Sequence, residues 1–408
     1  MTSPRAVAIV NARVVPVASD PIDGGTVLIE NGLISAVGTG IALPDDVVVI
    51  DAAGKWVLPG FIEAHGHVGI DEEASGWAGD DTNEMTDPNT AAVRAIDAIN
   101  IDDEGFRDAL AGGITTIVVK PGSGNPIGGQ TVAIKSWGGR TIDEQVVSDA
   151  VSIKSALGEN PKRVYGDQKQ TPSTRLGVSM VIRRAFVEAQ NYAEARDAAE
   201  LTSEPFTRDL GKEALARVLS GELAWDQHVH RHDDIATALR LAEEFGYRLV
   251  INHGTDGHKL ADVLAERGIP VIFGPLLTAR SKVELRDRAI GNLVALAAAG
   301  VVVAITTDHP VVPINFLVHQ ASFAVKEGLP AQVALEALTV NPASIMRLQH
   351  RVGSLTPGLD GDVVIWSGDP LDVNSRAERV LISGVEVYRW SEGVGRVVER
   401  SERLAQRA

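Results

Sequence analysis

The chain reads as an α/β protein: a (β/α)8 TIM-type barrel with a small β-sandwich built from both termini. Three observations predict this. Short β-branched runs recur through the middle of the 408 residues with helical stretches between them. Strand patterns without intervening helices crowd both ends. Histidine, lysine and aspartate stand at or near the ends of several middle runs, where barrels of this kind keep their active sites. The expected division is 1–56 with 350–408 for the sandwich and 57–349 for the barrel.

Residues 6–56 carry AVAIVNARVV, TVLIENGLISAVG and VVVIDAAGKWV, with a hairpin signal at Asn31-Gly32. Residues 352–390 repeat the style in VGSLTPGLDGDVVIWSG and RAERVLISGVEVY. Termini often lie close together, so one small β unit accounts for both. The middle supplies eight runs: 57–65, 114–120, 131–137, 150–157, 223–230, 248–254, 270–274 and 301–308. Helix patterns separate several of them, such as 236–246 and 259–268, with Gly246 and Gly268 where C-caps belong. Only about a dozen residues separate the third run from the fourth. An open doubly wound sheet is the competing arrangement, but no G-x-G-x-x-G follows an early strand, and PGSGNPIGG (121–129) reads as a loop.

Composition narrows the function. Acidic residues outnumber basic ones 54 to 38, a net charge of −16, which argues against nucleic-acid or anionic-membrane partners; the expected partner is a small-molecule substrate. There are no cysteines, so a metal would need histidine, carboxylate or a modified lysine. The first fifteen residues lack the apolar core of a signal peptide, and the longest apolar run (293–305) is too short to span a bilayer. A cytoplasmic location is expected, and the association state is left open, a homo-oligomer included.

The chemistry-bearing residues sit in the barrel runs. His65 and His67, in PGFIEAHGHVGI, share one side of a strand by their i, i+2 spacing. Lys154 lies in the fourth run, His228 and His230 end the fifth, His253 ends the sixth and Asp308 ends the eighth. Five runs thus deliver titratable groups to one rim, which points to a metal site.

At this point the sequence resembles the amidohydrolase superfamily over nearly its whole length. The segments that carry the likeness are TVLIENGLISAVG, VIDAAGKWVLPGFIEAHGH, LTVNPASIMRL and VGSLTPGLDGDVVIWSGDPLD. Imidazolonepropionase-like and dipeptidase-like members look nearest. The resemblance implies that His65 and His67 hold a more buried metal and that His228 and His253 hold a second. It implies that Asp308 binds the first metal and handles the catalytic proton, and that Lys154 is a carbamate bridging the two. Zn2+ is the expected ion, one or two per chain, with Mn2+ or Fe2+ as substitutes. The implied reaction is hydrolysis of a C–N bond in an amide, lactam or dipeptide by a metal-activated hydroxide, with Asp308 as general acid and base.

Alternatives stay open residue by residue. Lys135 in TVAIKSW has nearly the pattern of Lys154 in AVSIKSAL, and Glu159 is a further candidate ligand. His230 reads as a substrate or oxyanion contact, or as a packing histidine. His309 either orients Asp308 or lines the pocket. Arg231 and the run Lys162-Arg163-Val164-Tyr165 offer groups for a substrate carboxylate. The acidic segment 71–88 is a rim for cationic substrates or a solvated loop. A deaminase or imidazolonepropionase-type cyclic amidohydrolase is the alternative activity. Deaminases of this superfamily often carry a glutamate after the fifth-strand histidine, and here Val229-His230-Arg231-His232-Asp233 follows His228. A non-catalytic scaffold of the same fold is a third reading.

Overall fold

Strands from the two ends of the chain lie in one sheet. The computed structural model describes residues 6–398; residues 1–5 and 399–408, which the expected terminal unit includes, lie outside the described residues. The path runs from Val394–Val397 through Val385–Ser391, Ala377–Ile382 and Val363–Trp366 to Trp56–Pro59, then Val7–Val14, Ile22–Glu30 and Leu33–Gly38. The ninth strand, Val48–Asp51, pairs with Val7–Val14. The hairpin at Asn31-Gly32 is as expected: both residues have positive φ, 53° and 80°, which suits a two-residue turn between twisted strands.

The expected sandwich has two sheets, whereas this path is continuous. Register shifts in Val7–Val14 at Ile9/Ala12 and Ala12/Val14 mark bulges, which bend strands. The sheet keeps its own apolar core, including Ile9, Val27, Ile34, Val363 and Leu381.

The expected first run, 57–65, is split at Gly60. Trp56–Pro59 belongs to the terminal sheet, and Phe61–Gly66 begins an inner one. A Cβ on Gly60 would lie 2.0 Å from Thr115 Oγ1, so only glycine lets the chain pass.

The inner strands form two sheets. Phe61–Gly66 pairs in parallel with Ile114–Val119. Ser152–Ala156, Ala224–Val229, Leu249–His253, Val271–Phe273 and Val303–Ile305 pair in parallel in that order. All seven are buried along their length, as strands covered on both faces must be. The third expected run departs from the pattern. Val132–Lys135 pairs antiparallel with Ile114–Val119, and Ile127–Gln130 pairs antiparallel with Ser152–Ala156. A crossover helix does not fit in the short connection that follows, so the chain doubles back instead.

Ile62, Val118, Ala133, Ala224, Val250, Ile272 and Ala304, from different inner strands, meet in one apolar cluster closed by Ile345, Met346 and Leu348. Helices cover the outside. His232–Phe245 stops at Gly246 (φ 73°), as expected of a left-handed cap. The segment between Lys154 and His228 holds three helices not read from the sequence, Glu159–Asp167, Arg175–Thr202 and Leu210–Leu219. The longest is anchored where Phe186 packs on Trp225, Phe245 and Tyr247. Among the described residues no helix is long and apolar enough to cross a membrane.

Candidate metal centre

The parallel inner strands point their C-terminal ends one way, and register sets their side chains at one level. Ala156 pairs with His228, and Val229 with His253. His65 stands near the end of Phe61–Gly66, with His67 just beyond it, and Asp308 follows Val303–Ile305 by three residues. His253 and Asp308 both take positive φ, 67° and 53°, so the chain turns sharply at these two groups.

Two donor groups result. Ligand atoms of His65, His253 and Asp308 all lie within 4.8 Å of one another, and so do those of His228, His230 and His253. Asp308 Oδ1 is 3.3 Å from both His65 Nε2 and His67 Nε2, so His67 joins the first group through the carboxylate. Lys154 Nζ is 2.9 Å from His65 Nε2 and donates to the Pro121 carbonyl at 3.2 Å.

Protonation suits ligation. The Lys120 carbonyl is 2.7 Å from His67 Nδ1, and the Gly274 carbonyl is 2.7 Å from His253 Nδ1. A carbonyl only accepts, so both Nδ1 atoms carry hydrogen, and in a neutral ring the lone pair then falls on Nε2. Burial holds the His65, His228 and His230 imidazoles well below the usual range, aided by Lys154 at His65 and by His253 at the other two. Burial likewise takes His253 down to about 4. Neutral imidazole is the ligating form. Burial pushes the Asp308 carboxyl up, but His253, His67 and Lys154 outweigh it and hold it at about 2. Burial, with Lys120 beside it, lowers the Lys154 ammonium to about 8. The Nδ1 atoms of His65 and His228 are buried without a hydrogen-bond partner among the described residues, a costly state. Neutral imidazoles, an ionised carboxylate and a readily deprotonated lysine are together the donor set of a divalent transition metal.

Glu63, missed in the sequence, organises this end. Its carboxylate accepts from Thr306 Oγ1 at 2.6 Å, Thr307 Oγ1 at 2.6 Å, Thr307 N at 2.9 Å and His65 N at 3.0 Å. Asp308 N donates to Thr306 Oγ1 at 3.1 Å. One buried side chain thus holds His65 and the Asp308 turn together. The i, i+2 spacing that links His65 with His67 runs back to Glu63 and is the signal that marks it. Lys120 was missed as well: it is fully buried, with Nζ 2.5 Å from Asp226 Oδ2, while its carbonyl orients His67.

Comparison with known proteins decides the family. A solved amidohydrolase from Thermotoga maritima MSB8 is 46% identical, with a TM-score of 0.91 over 94% of this chain and 100% of that one. This chain belongs to the amidohydrolase family. The family model described as "Amidohydrolase family" matches residues 191–388. Amidohydrolase tasK of Hapsidospora irregularis is 30% identical over 392 residues, covering 89% of this chain but 40% of that protein, so the chain spans well under half that relative's length. An imidazolonepropionase of Acidiphilium cryptum is 25% identical over 89% of this chain and 93% of its own.

Beside the donor groups of this amidohydrolase lies a cavity of about 490 Å³, lined in part by His67, His228, His230, His253 and Asp308. It separates the remaining expected residues. His230 lines the cavity, as a substrate contact would, and its ring also lies among the donor atoms, with its Nδ1 2.8 Å from Thr255 Oγ1. Lys135 is removed from the site, its Nζ 2.7 Å from Asp360 and 2.5 Å from Asp362. Glu159 opens a helix and belongs to neither donor group.

Three expected substrate contacts do not line the cavity. Arg231 turns to Asp233 in a two-point ion pair beside a helix start. Tyr165 is fully buried, because its segment is helical and faces it inward, where its hydroxyl donates to Asn125 Oδ1 at 2.7 Å. The His309 ring packs against the helix Glu104–Ala111, close to Gly105, and its Nδ1 accepts from Ile314 N at 3.2 Å. His309 serves through its backbone, since its carbonyl accepts from His67 N. Arg163 and Lys282 line the cavity instead. Of the acidic segment 71–88, Asp71, Thr82 and Asn83 reach the cavity wall.

Proposed function

We propose that this chain is a metal-dependent hydrolase of C–N bonds in amides, lactams or dipeptides. The observation that supports it most is the pair of buried donor groups, in which His67 and His253 each set one ring nitrogen against a backbone carbonyl. His65, His67 and Asp308 would hold one ion and His228, His230 and His253 a second, and Lys154, beside His65, would add a further ligand as a carbamate. Zinc is the ion the donor set favours, with manganese or iron as substitutes. When bound, such ions polarise a carbonyl and make water more acidic.

The chain's own groups do the rest. Asp308 is ionised near neutral pH and so is ready to take the proton of a water attacking the carbonyl carbon. The same carboxyl returns that proton to the leaving nitrogen as the C–N bond breaks. Lys154 at about 8 has an appreciable neutral fraction near neutral pH, which carbamate formation requires. Glu63 keeps the Asp308 turn fixed while the proton moves. The inner strands fit a (β/α)8 barrel whose third position is taken by antiparallel strands. That reading draws on their shared apolar cluster, with the strands of 7–59 and 363–397 as the accompanying β unit, so that the expected boundary at 56 moves to Gly60.

Elemental analysis of purified protein together with a hydrolysis screen tests this. One to two equivalents of transition metal and chelator-sensitive release of amine are expected. Active protein without tightly held metal overturns the proposal.

A further inference from the structure

The proposed chemistry leaves the cations of the cavity unused. The chain has a net charge of −16, yet Arg163, Lys282 and Arg288 all line this one cavity. Its carboxylates are Asp71 and Asp308, and Asp308 is committed to the donor groups. Arg288 is also committed, since its guanidinium donates to the Leu276 and Thr278 carbonyls.

Lys282 is different. Its Nζ donates to Asn160 Oδ1 at 3.0 Å. Its paired carboxylate oxygen, Glu284 Oε2, stands at 3.9 Å, beyond hydrogen-bond reach. The other oxygen of Glu284 is held by Arg175 at 2.7 Å and by Glu159 N at 2.8 Å. An ammonium has three donors, so this half-buried one keeps capacity toward the cavity. Asn160 also places it: Asn160 Nδ2 is 3.4 Å from His228 Nε2 and donates to Ser123 Oγ at 2.8 Å. Lys282 therefore stands one side chain away from a donor histidine. Arg163 lies three residues after Asn160 on the helix Glu159–Asp167, on the same face. It is exposed and makes no hydrogen bond or ion pair among the described residues.

We propose that Lys282 and Arg163 bind a carboxylate of the substrate beside the amide that is cleaved, making N-acyl amino acids and dipeptides with a free carboxyl end the preferred class. This rests on the hydrolase reading and names its substrate. A carboxylate accepts from an ammonium and a guanidinium together, and such charge-assisted hydrogen bonds are stronger than neutral ones. A carboxamide in the same place would put an N–H donor against the two cations and add no counter-charge to them. A positive wall in an acidic protein also concentrates anions locally.

The test compares N-acetyl amino acids and dipeptides with their C-terminal amides on zinc-loaded protein. Calorimetry runs in parallel with non-hydrolysable ketomethylene isosteres of the dipeptides, ending in carboxylate or carboxamide. Carboxylates are expected to be favoured by roughly tenfold to a hundredfold in kcat/KM and in Kd, the scale of a hydrogen bond to a charged group. Lys282→Met and the exposed Arg163→Gln should each erode that ratio, and Lys282→Arg should keep more of it. Equal use of acids and amides, or a ratio unchanged in both variants, overturns the subsite while hydrolysis stands. Isostere binding that depends on Lys282, without turnover of any compound, keeps the subsite and overturns the hydrolase reading. Loss of both turnover and Lys282-dependent binding overturns the subsite outright.

Discussion

His67 and His253 each set one ring nitrogen against a backbone carbonyl, which leaves the other for the ligand role proposed above. Asp308 stands at 3.3 Å from two of the imidazoles, and the proposed chemistry draws on both its charge and its capacity for a proton. Asp308→Asn keeps the shape but cannot accept and return a proton. A folded protein that keeps much of its metal, with kcat lowered by at least about two orders of magnitude, is expected from steady-state kinetics and elemental analysis. Lys154→Ala should lose metal and turnover together, with partial rescue by short carboxylic acids. The Lys154 ammonium also predicts a pH effect in metal-free protein. Its folded value, about 8, lies below the unfolded 10.5, so between these the unfolded chain binds more protons and stability rises with pH. Denaturant unfolding of metal-free protein should show that rise from about pH 8 upward, and Lys154→Met should lack it. The histidines were legible because strand spacing and strand ends mark them. Glu63 was only half legible: its i, i+2 spacing to His65 marks its side of the strand, but nothing local points to its partners Thr306 and Thr307.

Lys135 and Lys154 share the local pattern Ile-Lys-Ser, and the direction of their strands separates them. Val132–Lys135 runs against its neighbour, so Lys135 is level with Thr116 near the start of Ile114–Val119, and Val132 is level with Val119 at its end. Lys154 lies in a parallel strand two residues before Ala156, which pairs with His228. Periodicity reports the faces of a strand, not its direction, so the sequence could not place Lys135. What Lys135 does is tie the inner sheet to the segment before Val363–Trp366. It is buried with Asp360 and Asp362; Asp360 also has Arg351, but without Lys135 the buried Asp362 loses its cation. Lys135→Met is expected to lose about 3–5 kcal/mol in denaturant unfolding. Metal content per folded molecule should not change. A chain that loses its metal on this substitution would place Lys135, not Lys154, in the site.

Across the whole molecule, the donor residues span positions 65 to 308 and come from different inner strands. A bound ion therefore cross-links distant parts of the chain and stabilises the folded state by mass action, by about 2.7 kcal/mol at a hundredfold excess over Kd. Chelation should lower Tm and added zinc should restore it in a concentration-dependent way. A Tm indifferent to both would argue against the donor groups as a metal site. At this scale the terminal strands were legible because alternation and turn residues are local signals. The helices between Lys154 and His228 were not: Arg175–Thr202 does bury a stripe through Val178, Ile182, Ala185, Phe186, Ala189 and Tyr192, but the exposed apolar residues Leu176, Met180, Val187 and Leu201 blur it in the sequence.

The Glu63 clasp has a further consequence, for the order in which the chain comes together. Glu63 and Thr306 are 243 residues apart, and they join the first and last of the parallel inner strands. A growing chain on the ribosome cannot close this contact until nearly all of the inner region has emerged, so His65 waits for its anchor while most of the remaining strands fold. In the finished protein the amide hydrogens of His65 and Thr307 both rest on the buried Glu63 carboxylate. They become open to solvent deuterium only when the two strands part. Their exchange should therefore be among the slowest in the chain and should follow global unfolding, while Glu63→Gln, which weakens the clasp without emptying it, should let both amides exchange through a smaller, local opening.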